Sequence, residues 1–169
     1  MFWICFVVCF VCFAIRTLYN YLNYREHKIA AKKGVITAIY FVMFILWYSW
    51  GMMNFNDPVS LSLPLWLRLI GLLLFITGVL LFIFAHVGMG RLRNEGKFIT
   101  KGIYSKFRNP MYLGFIIWVI GFPVFMESML TLASAVLWIA HFMTWKTLEE
   151  KDLERRFEDY REYKARTWF

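Results

Sequence analysis

The chain has 169 residues, 60% of them hydrophobic and 18% charged, with a formal net charge of +8. Together with a positive mean hydropathy, that composition excludes an ordinary soluble domain and defines an integral membrane protein. The positive charge is not a nucleic-acid footprint, because it gathers at membrane borders and no nucleic-acid module or periodic aromatic platform accompanies it.

Five apolar stretches follow one another, at residues 2–19, 35–53, 63–87, 112–125 and 129–145. The first, "MFWICFVVCFVCFAI", lacks a basic leader region and a small-residue cleavage site, so it reads as a retained span. Its Cys5, Cys9 and Cys12 read as lipid or helix contacts rather than a disulfide or metal site. The third stretch alone is long enough to cross a core of about 30 Å. A continuous helix over 112–145 would carry Pro123 near its middle, so "GFPVFMES" is expected to be the turn of a hairpin, with Ser128 capping the returning helix.

Charge decides between five crossings and the rival count of four. Arg25, Lys28, Lys32 and Lys33 follow the first stretch, Arg91 to Arg108 carry six basic residues between the third and fourth, and Lys146 to Arg166 carry seven after the fifth. The second connection has none and the hairpin tip has only Glu127. Basic segments favour the cytoplasm, so the expected fold is an all-α integral membrane protein: about five transmembrane helices with a helical hairpin as the last two. The N-terminus is outside, the loop 89–109 is cytoplasmic, and so is the tail 146–169 with an amphipathic C-terminal helix. Residues 1–169 form one membrane domain.

The cytoplasmic loop ends in "GIYSKFRNPMYLG". Gly96 and Gly102 permit tight turns, while Ile99, Ile103, Tyr104 and Phe107 suit an interface. Pro110 fits a first helical turn with Asn109 as its cap, and the helix start beside Arg108 makes an anion site. Tyr112 offers a ring and a hydroxyl, and Gly114 leaves room for a helix or a ligand. In the tail, Leu153, Phe157 and Tyr160 form a helical stripe flanked by Glu149 and Glu150, and periodicity does not choose between the two acids.

These residues resemble the isoprenylcysteine carboxyl methyltransferase family and its phospholipid methyltransferase relatives. The likeness rests on Gly102, Tyr104, Arg108, Pro110, Tyr112 and Gly114, then Glu149 and Glu150, then Phe157, Tyr160, Tyr163 and Arg166, and covers the C-terminal half. It implies S-adenosyl-L-methionine as methyl donor, bound by Tyr104, Arg108, Asn109, Pro110, Tyr112, Gly114, Glu149 and Glu150. Glu149 or Glu150 would meet its ammonium, and Arg108 its carboxylate. Arg166, Arg91 and Arg93 would position the acceptor. The acceptor is a lipophilic or small molecule, with an isoprenylcysteine-type carboxylate, a phospholipid amine and a small thiol all open. Membrane lipids are the other partners, no obligate protein partner is expected, and a bacterial or archaeal cell membrane is the expected location. The chain departs from the family's pattern at Asn109, where histidine is usual, and at Glu158, where glycine is common. Asn109 cannot exchange a proton.

Other readings are weaker. His86 and His141 fall near span ends but suit helix contacts, and the carboxylates and histidines lack compact metal-ligand spacing. A transporter needs polar groups at the midplane, whereas the polar residues noted in the spans, Asn54 and Arg68, stand at their edges. A non-catalytic lipid-binding or assembly protein of the same architecture is the second reading.

Overall fold

A computed structural model of the protein describes residues 1–92 and 98–169, without the side chains of 90–92. Its helices are α1 (Phe2–Tyr24), α2 (Lys33–Phe55), α3 (Leu65–Leu92), α4 (Pro110–Met126), α5 (Met129–Arg156) and α6 (Tyr160–Arg166), with a 3-10 turn at Gly102–Ser105. Helices are the solution for such a sequence because each satisfies its own backbone polar groups without water. Three segments, Phe2–Tyr24, Lys33–Phe55 and Leu65–Met89, are long and apolar enough to cross a membrane. This is a multi-pass membrane protein. The helices overrun the apolar runs, most of all in α5, because Lys, Glu and Arg continue a helix well once lipid is left behind.

α3 and α4 touch backbone to backbone. A Cβ on Gly78 would lie 2.6 Å from the Gly114 carbonyl oxygen, and one on Gly121 would lie 2.5 Å from the Phe75 nitrogen. Neither neighbour can swing aside, since both are main chain. Gly121→Ala is therefore expected to destabilise the protein by about 1–3 kcal/mol through overpacking. Gly34→Ala, with nothing within 4 Å of its Cβ, should be neutral or gain up to about 1 kcal/mol of helix propensity. Thermal unfolding in one detergent compares the two directly.

Elsewhere aromatic rings fill the interior. Phe13 of α1 stacks on Trp138 of α5 at 4.7 Å, and Trp47 of α2 stacks on Trp118 of α4 at the same spacing. At one end of the bundle the α2–α3 connection grips the α4–α5 turn. α4 runs through Pro123 and stops only at Glu127, which is left-handed with φ 59°. The turn is thus Glu127–Ser128, later than the sequence suggests. It is set by that left-handed residue and by Glu127 Oε1, which accepts the Leu63 N–H at 2.7 Å. Ser128 stands at the start of α5 but its hydroxyl donates to the Asn54 carbonyl. Asp57 caps the helix instead, accepting the Thr131 N–H at 2.8 Å and its hydroxyl at 2.9 Å.

At the other end, Arg155 of α5 pairs with Glu26 of the α1–α2 connection at 2.8 Å. One unbroken amphipathic tail helix does not form. α5 ends at Phe157, whose backbone is extended (φ −131°, ψ 113°), and α6 turns back over residues 98–109. The contacts that reverse the chain there come from the loop.

Candidate active site

Gly102 has φ +66°, which admits the chain into the 3-10 turn. That turn presents Tyr104 inward, its hydroxyl donating to the Ala85 carbonyl of α3 at 3.2 Å. The Tyr163 hydroxyl of α6 in turn donates to the Tyr104 carbonyl at 2.6 Å. Phe98 meets the rings of Phe157, Tyr160 and Tyr163 at centroid distances of 5.2–5.4 Å. Main-chain bonds complete the strap: Arg108 N–H to the Trp168 carbonyl at 2.9 Å, and Trp168 N–H to that of Lys106 at 2.8 Å.

Pro110 opens α4 with Asn109 at the cap position, yet the Asn109 side chain makes no capping bond. Its amide donates to Glu150 Oε1 at 2.6 Å and to the Phe169 main-chain oxygen at 3.2 Å. Glu150, 6% exposed, also receives Arg108 Nε at 3.2 Å, Lys146 Nζ at 3.1 Å and Lys164 Nζ at 3.1 Å. Burial alone would raise its pKa, but hydrogen bonds from Lys164, Lys146 and Arg108 outweigh it and hold the carboxyl below its usual value. Arg108 further donates through Nη1 to the carbonyls of Lys164 and Thr167. Arg108 and Glu150 are therefore partners, not opposite ends of a pocket. They bind the tail to the start of α4.

Glu149 does something different. It lines a cavity of about 140 Å³ together with Phe98, Tyr104, Arg108, Tyr112 and Tyr160. The Tyr112 hydroxyl donates to its Oε2 at 2.9 Å. No ion pair reaches it among the described residues, and its Oε1 has no hydrogen-bond partner there. Glu149 is exposed to solvent on the cavity wall; crowding by the surrounding protein pushes its carboxyl above the usual range, opposed by the Tyr112 hydrogen bond and the charge of Arg16. A carboxylate so placed suits a cation from outside the protein. The aromatic rings around it suit a flat, apolar group.

The cavity thus gathers Tyr104, Arg108, Asn109, Pro110, Tyr112 and Glu149. Gly114 lies instead against α3, where its Cβ would stand 2.7 Å from the Gly78 carbonyl oxygen. Arg166 is exposed and pairs with Glu162 at 3.4 Å. The side chain of Arg91 is outside the described residues, as are Arg93, Gly96 and Lys97. His141 is bonded to Thr17 at 2.8 Å and His86 stacks on Phe82, both off the cavity lining. Among the described residues no group of three His, Cys, Asp or Glu is placed to hold a metal ion. Sequence reasoning missed Phe98 and Arg16. The signal for Arg16 was there, a lone cation inside an apolar run.

Fold and site together define a multi-pass membrane protein whose polar site lies among the start of α4, the end of α5 and a folded-back tail. The chain belongs to the phospholipid methyltransferase family, whose model matches residues 66–160. It is also similar to protein-S-isoprenylcysteine O-methyltransferases: that of Xenopus laevis, 29% identical over 60% of this chain and 39% of the relative; that of Schizosaccharomyces pombe, 33% identical over 49% and 36%; and that of Homo sapiens, 33% identical over 49% and 30%. The chain spans less than half the length of these relatives. No solved structure matches it.

Proposed function

We propose that the protein is an S-adenosylmethionine-dependent methyltransferase working at the cytoplasmic membrane face on a lipophilic or small acceptor. The observation that carries this is Glu149, an acid without an ion-pair partner among the described residues, on the wall of an aromatic cavity within the matched region. The donor's groups fit the residues present: Glu149 receives the ammonium, Tyr104 and Tyr112 wall the nucleoside, and Arg108, Asn109 and Glu150 fix the tail that closes the site. Arg91, two residues beyond cavity-lining Met89, is the candidate for positioning the acceptor. The donor supplies a sulfonium methyl group. The acceptor's nucleophilic atom forms a bond to the methyl carbon as the carbon–sulfur bond breaks and its electron pair returns to sulfur. The chain's part is alignment and exclusion of water. The charge of the connecting segments supports five crossings with the N-terminus outside and the site cytoplasmic.

Incubation of purified protein with methyl-labelled donor and a total lipid and small-molecule extract tests the proposal. Label transferred to an extractable product is expected. Donor binding without transfer would leave the protein a scaffold. A second expectation follows from Glu149. Ammonium binding needs the ionised acid, so donor affinity is full well above its raised pKa and is lost as pH falls through it. Tyr112→Phe removes a hydrogen bond that favours the ionised form, so that loss should begin at higher pH, with about 1 kcal/mol less affinity. Titration with S-adenosylhomocysteine across pH reads both.

A further inference from the structure

Four tyrosines line the cavity, Tyr104, Tyr112, Tyr160 and Tyr163. Three of them commit their hydroxyl hydrogens within the protein: Tyr104 to the Ala85 carbonyl, Tyr112 to Glu149 and Tyr163 to the Tyr104 carbonyl. Tyr160 differs. It is 2% exposed, yet its hydroxyl makes no hydrogen bond among the described residues. The side-chain polar atoms sealed there without a partner are Arg16 Nε, Trp50 Nε1, Asn54 Oδ1 and Trp118 Nε1, and the Tyr160 hydroxyl is not one of them. An unpartnered hydroxyl on a buried ring that is not sealed opens onto the space the ring lines, which is the cavity. Packing holds the ring, with the Phe98 centroid at 5.2 Å and that of Tyr163 at 5.7 Å. Burial, then the charge of Glu150, pushes the phenol above its ordinary value of 10.0 against the opposing charge of Arg108. The hydroxyl therefore stays protonated and can both donate and accept. A buried hydroxyl without a partner is costly, and a ligand that supplies one offsets that cost.

We infer that the Tyr160 hydroxyl hydrogen-bonds the polar edge of the donor's adenine and selects that base, so that the folded-back tail sets which nucleoside the site accepts. The inference rests on the methyltransferase reading and deepens it by naming the group that reads the nucleoside. The donor's ammonium goes to Glu149, the acid on the lining among the described residues. Tyr160 is neutral and suits an uncharged group with an acceptor and N–H donors side by side, as the N1 and N6 edge of adenine has. The rings of Phe98, Tyr104 and Tyr163 around the cavity favour a flat base over a ribose, whose two hydroxyls call for several polar partners. A site built to hydrogen-bond a group rejects the analogue without it, because its own buried group is then left unpaired.

The test titrates the full chain in a non-ionic detergent with S-adenosylhomocysteine and three analogues of it: one without the 6-amino group, one with carbon in place of N1, and one with a 2′-deoxyribose. Tyr160→Phe keeps the ring and removes only the hydroxyl, so without ligand it should melt with the parent. Its affinity for S-adenosylhomocysteine should fall about three- to tenfold. At least one of the two base analogues should bind the variant and the parent alike, because the contact it lacks is the one the substitution removes. The 2′-deoxy analogue should lose as much on substitution as S-adenosylhomocysteine does. The pH at which affinity disappears, set by Glu149, should stay at the parent's value, unlike that of Tyr112→Phe. The inference is overturned if the variant binds S-adenosylhomocysteine as the parent does, if both base analogues lose as much on substitution as the full ligand, or if the loss vanishes for the 2′-deoxy analogue instead. It is also overturned if the pH dependence shifts as in Tyr112→Phe, or if the ligand-free variant melts lower, which would mean that the protein itself holds the hydroxyl. All of these leave binding by the parent, and so the methyltransferase reading, in place. No binding of S-adenosylhomocysteine to the folded parent removes that reading and the Tyr160 contact with it.

Discussion

Glu150→Ala should destabilise the protein by about 3–5 kcal/mol, because it leaves buried cations without their counter-charge. Glu150 is the common partner of Arg108, Lys146, Lys164 and Asn109. The Arg108 and Lys146 side chains are only 12% and 10% exposed. Lys164, at 39%, is solvated enough to contribute less, and it keeps Glu154 at 2.8 Å. Because Arg108 also holds the carbonyls of Lys164 and Thr167, its release frees α6 from the start of α4. Thermal unfolding should drop, and proteolysis should cut first between Phe157 and Phe169. Acid should act in the same direction. A carboxyl held below its ordinary value of 4.5 contributes stability that is present above that value and is lost as pH falls through the lowered pKa. An unchanged melting temperature in Glu150→Ala would mean that the tail is held by its aromatic contacts and by its hydrogen bonds to the loop main chain, without the ion pairs.

The helices were legible because apolar runs long enough to span lipid have few other structures open to them, and the strip from Arg108 to Tyr112 announced itself by placing polar and turn-forming residues at the edge of one. The division of labour between Glu149 and Glu150 was not legible. Both flank one helical stripe, and the choice depends on Arg108 and Asn109, which reach Glu150 from the start of α4, and on Lys164, which reaches it because the chain breaks at Phe157 and reverses. Asn109 and Ser128 look like caps by local rules, but remote partners, Glu150 and the Asn54 carbonyl, take their side chains. Gly114 reads equally as ligand clearance or helix contact until α3 is placed against it, with Gly78 opposite. Arg16 does not stand out because a cation near the end of an apolar run resembles a snorkelling border residue, and only the structure shows it held against the rings of Tyr19 and Trp145.

Glu149→Gln should leave the fold intact and remove most of the donor affinity. The substitution keeps the shape and an acceptor oxygen for the Tyr112 hydroxyl, while removing the charge that would pair with the donor's ammonium. Glu149 is exposed to solvent and has no ion-pair partner among the described residues, so stability should hold. The lost charge-assisted hydrogen bond corresponds to about 1.5–3 kcal/mol, roughly ten- to hundredfold in Kd. Glu150→Gln gives the complementary pattern, with stability falling and donor contacts spared wherever the protein stays folded. The decisive measurement is calorimetric titration of S-adenosylhomocysteine into the purified parent and Glu149→Gln proteins. Saturable one-site binding by the parent, weakened at least tenfold or so in a Glu149→Gln protein of equal melting temperature, is the expected result. Equal affinity in the two, or no binding to the folded parent, would contradict Glu149 as the donor's receptor and the methyltransferase site built around it.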